Sequence, residues 1–122
     1  MDDEFRLSKI GVIMLGVADM EKSVSFYRDS LGLGLTAQHE GFAFFNAGAV
    51  TLALSTGLIK AVGQAPGAVE VVFSAEHVRA AHEHLQRRGV PFQNEPRPVA
   101  GPMWAADFRD PDGHILSVFG PE

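Results

Sequence analysis

Glu70 is the residue of this chain that chemistry would most readily use. It is a carboxylate inside the mostly apolar run Gly67 to Phe73, and burying it there costs free energy unless it is paired. It could meet a cationic ligand or act as a general base; an arginine at a sheet edge or subunit interface would satisfy it equally well. Ser117 offers one hydroxyl, and nothing near it in sequence activates it as a nucleophile. The ring of Trp104 could stack on a planar ligand. Met14, Phe42, Phe44 and Phe119 would add an apolar lining, adaptable at the methionine, although core packing explains each of these side chains too. His77, His82 and His84 fall on one expected helix, where a solvated face is the simpler account; His82 and His84, two residues apart, point to different sides. His39, Glu70 and Asp107 could reach a shared space, but no ligand spacing links them. There is no cysteine, which excludes disulfides, thiolate zinc sites and cysteine nucleophiles. Neither a Gly-rich phosphate loop nor a Ser/His/Asp arrangement is present.

These side chains need elements to hold them. Ile10 to Val17 is an apolar run of strand length, and Asp19 follows as an expected helix N-cap with Glu21 in the first turn. Met20, Val24, Tyr27 and Leu31 lie at helical spacing, and Gly32 stops the helix. Leu33 to His39, Gly41 to Asn46 and Val50 to Ser55 read as strands, the last two joined by a tight turn at Asn46 to Ala49. Thr56 to Pro66 reads as a surface linker. The order then restarts: strand Gly67 to Phe73, N-cap Ser74, a helix buried along Val78, Ala81 and Leu85, and a stop at Gly89. A Pro-rich stretch that suits only an edge strand or loop follows. The closing hairpin is Met103 to Phe108 and His114 to Phe119, around Asp110-Pro111-Asp112-Gly113, whose Asp, Pro and Gly are turn residues.

The two halves form an internal repeat of about 56 residues, with Gly11 laid on Gly67 and Leu52-Ala53-Leu54 on Leu116-Ser117-Val118. We therefore read residues 1–122 as a single domain, with one repeat near 8–56 and the other near 66–120. The fold class is α+β: two βαβββ modules forming a cupped, mostly antiparallel sheet with helices on the outer face. Strand side chains alternate faces. One parity collects Ile13, Leu15, Val17, Val50, Leu52, Leu54, Val69, Val71, Phe73, Leu116 and Val118, a face for helices to cover. The other carries Val12, Met14, Thr51, Ala53, Glu70, Ser117 and Phe119, joined by Phe42 and Phe44 if Asn46 pairs with Ala49. That mixture suits a pocket with an apolar lining and a few polar groups, or a face half-covered by a partner subunit.

A length of 122 residues with 46% hydrophobic and 20% charged residues places the chain with soluble globular domains rather than disordered ones. A net charge of -5 with no basic cluster argues against nucleic acid as a partner. The start, Met1-Asp2-Asp3-Glu4, lacks signal-peptide order, and the run Ile10 to Ala18 is too short to span a bilayer. The expectation is a cytoplasmic protein with no membrane partner.

The stretch Val17-Ala18-Asp19-Met20-Glu21-Lys22-Ser23, Phe26-Tyr27-Arg28-Asp29 and Leu31-Gly32-Leu33, followed by the Asp110 to Gly113 hairpin, resembles the vicinal oxygen chelate superfamily. That group includes glyoxalases, bleomycin-resistance proteins and extradiol dioxygenases. In its metal-dependent members, the resemblance implies, His and Glu ligands would stand at Val12, Ala53, Ala68 and Ser117. Val and Ala have no donor atom, and a neutral Ser is a weak ligand. The resemblance thus implies no metal and no cofactor, and leans against an enzyme. It points to a homodimer that sequesters a small organic molecule, aromatic or cationic, in the manner of an antibiotic-resistance protein. The other expectation is a lyase, isomerase or dioxygenase-like enzyme using Glu70 or an unconventional metal site.

Overall fold

A computed structural model describes Arg6 and residues 9–62 and 69–122. The first module consists of strand β1 (Val12–Gly16), helix α1 (Met20–Ser25), and strands β2 (Gly34–His39), β3 (Phe42–Ala47) and β4 (Val50–Ser55). Helix α2 (Thr56–Val62) follows. The second module is β5 (Glu70–Ser74), α3 (Val78–Arg87), β6 (Arg97–Ala100), β7 (Met103–Arg109) and β8 (Ile115–Pro121). The sheets have the same order, β1-β4-β3-β2 and β5-β8-β7-β6. In each, the first strand pairs parallel with the last and the other pairs are antiparallel. The fold class stands, and the two modules share one strand order, but the strands form two separate four-stranded sheets, with β1 and β5 each at an edge.

Local chemistry explains the elements. The Asp19 carboxylate accepts from the Lys22 amide at 3.1 Å and caps α1. Helix α1 then widens into a π turn over Phe26–Ser30, closed by the Leu31 N–H donating to the Phe26 carbonyl, and Gly32 ends it at φ 83°. The expected linker after β4 is in fact α2: the Ser55 hydroxyl accepts from the Leu58 amide at 3.1 Å, a cap hidden at the end of a strand. Ile59 on this helix lies against Gly16. The rest of that expected linker, with Gly67 and Ala68, lies outside the described residues, as does the acidic start. The expected cap Ser74 instead ends β5, and His77 precedes α3 without a side-chain capping bond.

One buried cluster spans both modules: Leu15, Val24, Tyr27, Phe45, Leu52 and Leu54 from the first, and Val78, Leu85, Phe108, Leu116 and Val118 from the second. The alternation read from the sequence therefore selects the covered face for most strand residues, but Val69, expected on that face, is 68% exposed just before β5, where the sheet pairing has not yet begun. Each side chain of the cluster contributes about 1.5–3 kcal/mol when fully buried, which holds the register, since a one-residue slip would turn every one outward. His82 departs from expectation. It is buried, stacks edge-on against Phe92 at 4.4 Å, and its Nε2 has no hydrogen-bond partner. It falls four residues after Val78, on the buried stripe of α3.

The Asp110 to Gly113 turn joins the modules. The Asp110 carboxylate is buried and accepts from the Tyr27 hydroxyl at 2.7 Å, the His114 amide at 2.8 Å and the Asp112 amide at 3.0 Å. The Asp112 carboxylate accepts from the Ala18 amide at 2.9 Å and the Ser23 hydroxyl at 3.3 Å, at the start of α1. The ring Nε2 of His114 lies 2.7 Å from the Gly16 carbonyl. Turn residues of the second module thereby clasp the β1–α1 junction of the first.

Candidate functional site

The inner face of each sheet, opposite the helices, collects most of the candidate residues. In the first sheet, Val12 pairs with Thr51 and Met14 with Ala53, while Phe44 lies beside Ala53 and Phe42 beside Ser55. The hairpin register differs from the expected one by two residues, because Ala47 pairs with Val50. A shift of two preserves parity, so Phe42 and Phe44 do face inward. Their rings are nearly parallel at 11° with centroids 6.2 Å apart, and His39 stands edge-on to Phe44 at 6.2 Å. Val12, Met14 and Phe42 are exposed, at 49%, 41% and 39%.

The inner face of the second sheet is more polar. Glu70 pairs with Ile115, Val72 with Ser117, and Ser117 with Asp107 on its other side. Phe119 lies between Ser74 and Ala105. Asp107 accepts from Arg97 and from Asn94, both at 3.1 Å. Arg109 donates to the Gly113 carbonyl at 3.0 Å. Ser117 is buried and Glu70 is exposed; among the described residues no ion pair includes Glu70. The network around Asn94, Arg97 and Asp107 was missed because its members lie on different segments, one of them an irregular Pro-rich edge.

Trp104 does not belong to this face. It pairs with Gly120, which places it on the helix side, packed against the core with the Arg79 guanidinium 4.7 Å from its ring. The strand pairing moves it there: Ala106 and Phe108, of the same parity on β7, are core residues.

The structure also corrects the repeat register. Val12 stands seven residues before the α1 cap Asp19, and Glu70 stands seven before the α3 cap His77. Strand pairing agrees, since Met14 lies opposite Ala53 and Val72 opposite Ser117. Glu70, rather than Ala68, is therefore the repeat mate of Val12. Ala68 itself lies outside the described residues. One of the four equivalent positions thus carries a carboxylate, beside Val12, Ala53 and Ser117. A divalent metal needs at least three good donors, and no group of three His, Cys, Asp or Glu side chains able to hold one occurs among the described residues. This donor set does not fit the metal of the metal-dependent members.

Paired βαβββ modules with the same strand order define a class of small α+β proteins. The family model "Glyoxalase/Bleomycin resistance protein/Dioxygenase superfamily" matches residues 9–118, and the chain belongs to that superfamily. Among curated proteins it is 29% identical to the uncharacterized protein YraH of Bacillus subtilis (strain 168), over 91% of this chain and 97% of that one. Its fold matches TnmS3, an antibiotic binding protein from Streptomyces sp. CB03234, with a TM-score of 0.80 at 24% identity, covering 98% of this chain and 100% of that one. It also matches a lactoylglutathione lyase from Agrobacterium tumefaciens, with a TM-score of 0.77 at 21% identity over 93% and 94% of the chains. At these identities the structural likeness establishes the fold alone. Among the described residues no helix is long and apolar enough to cross a membrane.

Proposed function

We propose that this protein is a metal-free binder that sequesters a small, partly aromatic organic molecule, of the antibiotic-resistance type. The observation that carries the reading is the inner face of the first sheet. Val12, Met14 and Phe42 are exposed there beside the parallel Phe42 and Phe44 rings, a surface that a planar ligand covers well. Glu70 of the second sheet supplies a polar contact and, being exposed, favours a ligand with a cationic group; Ser117 lies buried beneath this face. The ligand sits between sheets from two copies of the chain. A second copy is favoured because, among the described residues, nothing covers the apolar side chains of the inner faces or pairs with the outer edges of β1 and β5. A cytoplasmic location fits the absence of cysteine.

Calorimetric titration with a panel of planar aromatic antibiotics, cationic and neutral, tests this reading. At least one should bind without added metal, and Phe44→Ala should weaken it about tenfold or more while the fold is kept. Absence of binding across the panel would overturn the proposal.

A second reading is favoured by the register of Glu70, which stands at the repeat position where metal-dependent relatives place a ligand: catalysis of the lyase, isomerase or dioxygenase kind, with Glu70 as base or as part of an unconventional metal site. Stoichiometric Fe, Ni, Zn or Mn in protein purified without chelator, lost in Glu70→Gln, would establish that reading against sequestration.

A further inference from the structure

A crevice of about 450 Å³ lies on the helix side of the sheets, away from the inner faces. Its walls come from both modules. Leu31 and Leu33, just after the π turn, form one side; Phe73, Leu85 and Phe108 form the floor and the other. The rim follows a single face of α3, because His77, Ala81, His84 and Arg88 are spaced four, three and four residues apart. Arg88 donates through Nη1 to the Ser30 carbonyl at 3.2 Å. This bond ties the guanidinium, which lines the crevice, to the end of the π turn, with further N–H groups left to donate. Glu76 is the one carboxylate among the lining residues, and it sits at the opposite end of α3, next to His77.

The volume lies in the range of ligand pockets, and an apolar floor with a few polar groups on one rim is the usual composition of such sites. We propose that the crevice is a second binding site, separate from the inner faces, for an amphipathic carboxylate. Its aliphatic chain lies along Leu31, Leu33, Phe73 and Leu85, and Arg88 and His84 hold its carboxylate. The planar fork of arginine suits a carboxylate, and the apolar floor calls for a chain that a bare inorganic anion lacks. A cationic amphiphile would be repelled by Arg88. Because the walls belong to both modules, an occupant bridges them and favours their observed arrangement.

Octanoate is the probe, followed by two-dimensional amide NMR. Saturable shifts should appear at Leu31, Leu33, Phe73 and Leu85 and spare Met14 and Phe44, and the thermal midpoint should rise with octanoate concentration. Octanol and acetate should each bind about tenfold or more weakly, since each lacks one half of the recognition. Arg88 is exposed, so Arg88→Ala keeps the fold and should weaken octanoate about tenfold. Lack of saturation by about 10 mM, shifts confined to the inner face, or unchanged binding by Arg88→Ala would overturn the proposal. None of these results depends on whether the inner faces take an aromatic ligand.

Discussion

Tyr27 and Asp110 form a buried polar contact between the modules, 2.7 Å long. Burial, and then the neighbouring Asp110 carboxylate, push the Tyr27 phenol well above its usual range near 10.0. The sign follows directly. Below about pH 10 the phenol is neutral in the folded and unfolded chains and the contact stabilises fully. Above that pH the unfolded phenol ionises while the folded one cannot, so stability is lost as pH rises. Tyr27→Phe removes the donor and leaves a buried carboxylate oxygen with one partner fewer, a loss of about 1–3 kcal/mol. Urea unfolding at pH 7 should show that loss, and the alkaline decline of the wild-type chain should be shallower in the variant. A variant as stable as wild type would mean that the contact contributes nothing net. The pairing was not legible in the sequence, where Tyr27 is a helix-face aromatic and Asp110 a turn residue, 83 positions apart.

At the scale of elements, the second module depends on the close approach of β8 to the chain leaving β5. The Ala75 amide donates to the Phe119 carbonyl at 3.0 Å, and a Cβ added at Gly120 would fall on the Ala75 carbonyl oxygen. Backbone atoms cannot give way as a flexible side chain can. Gly120→Ala should therefore cost about 2–4 kcal/mol, the range of severe overpacking, read as a lower urea midpoint. Gly113→Ala tests a different mechanism, strain at φ 89°, with open space around its Cβ; it should cost about 1 kcal/mol. If the two substitutions cost the same, close packing at Gly120 is not the determinant. Helix α2 shows why an element can be missed: its capping serine is also the last residue of β4, so one residue serves two elements and the sequence pattern shows only the strand.

At the scale of the whole molecule, the inner faces decide the behaviour. The exposed large apolar side chains Ile10, Val12, Met14, Phe42, Val69, Val72 and Val99 belong to, or directly flank, β1, β3, β5 and β6. Under the proposed dimer a second copy covers the inward-facing members of this group. Val72 is 54% exposed within one chain, so Val72→Asp costs little stability there. In sedimentation equilibrium the wild-type chain should run at twice the chain mass, and Val72→Asp should run as a folded monomer by circular dichroism. A wild-type monomer, or a variant that still dimerises, would rule out this face as the dimer interface.

The βαβββ order of each module and most of the covered face follow from the sequence by itself, because periods of 2 and 3.6 and turn residues are local properties of the chain; helix α2 and the register between the modules do not. The inward placement of Phe42 and Phe44 also follows from the sequence, and it survives a register shift of two. Only the tertiary structure decided that Glu70 is the mate of Val12 and that Trp104 faces the helices, because those positions depend on which residues pair across strands. It also showed that the Asp110 to Gly113 turn is the clasp on α1, a matter of hydrogen bonds made at long range in sequence. The physical reason is the same throughout: alternation assigns a side chain to a face, whereas partners are assigned by strand register and packing.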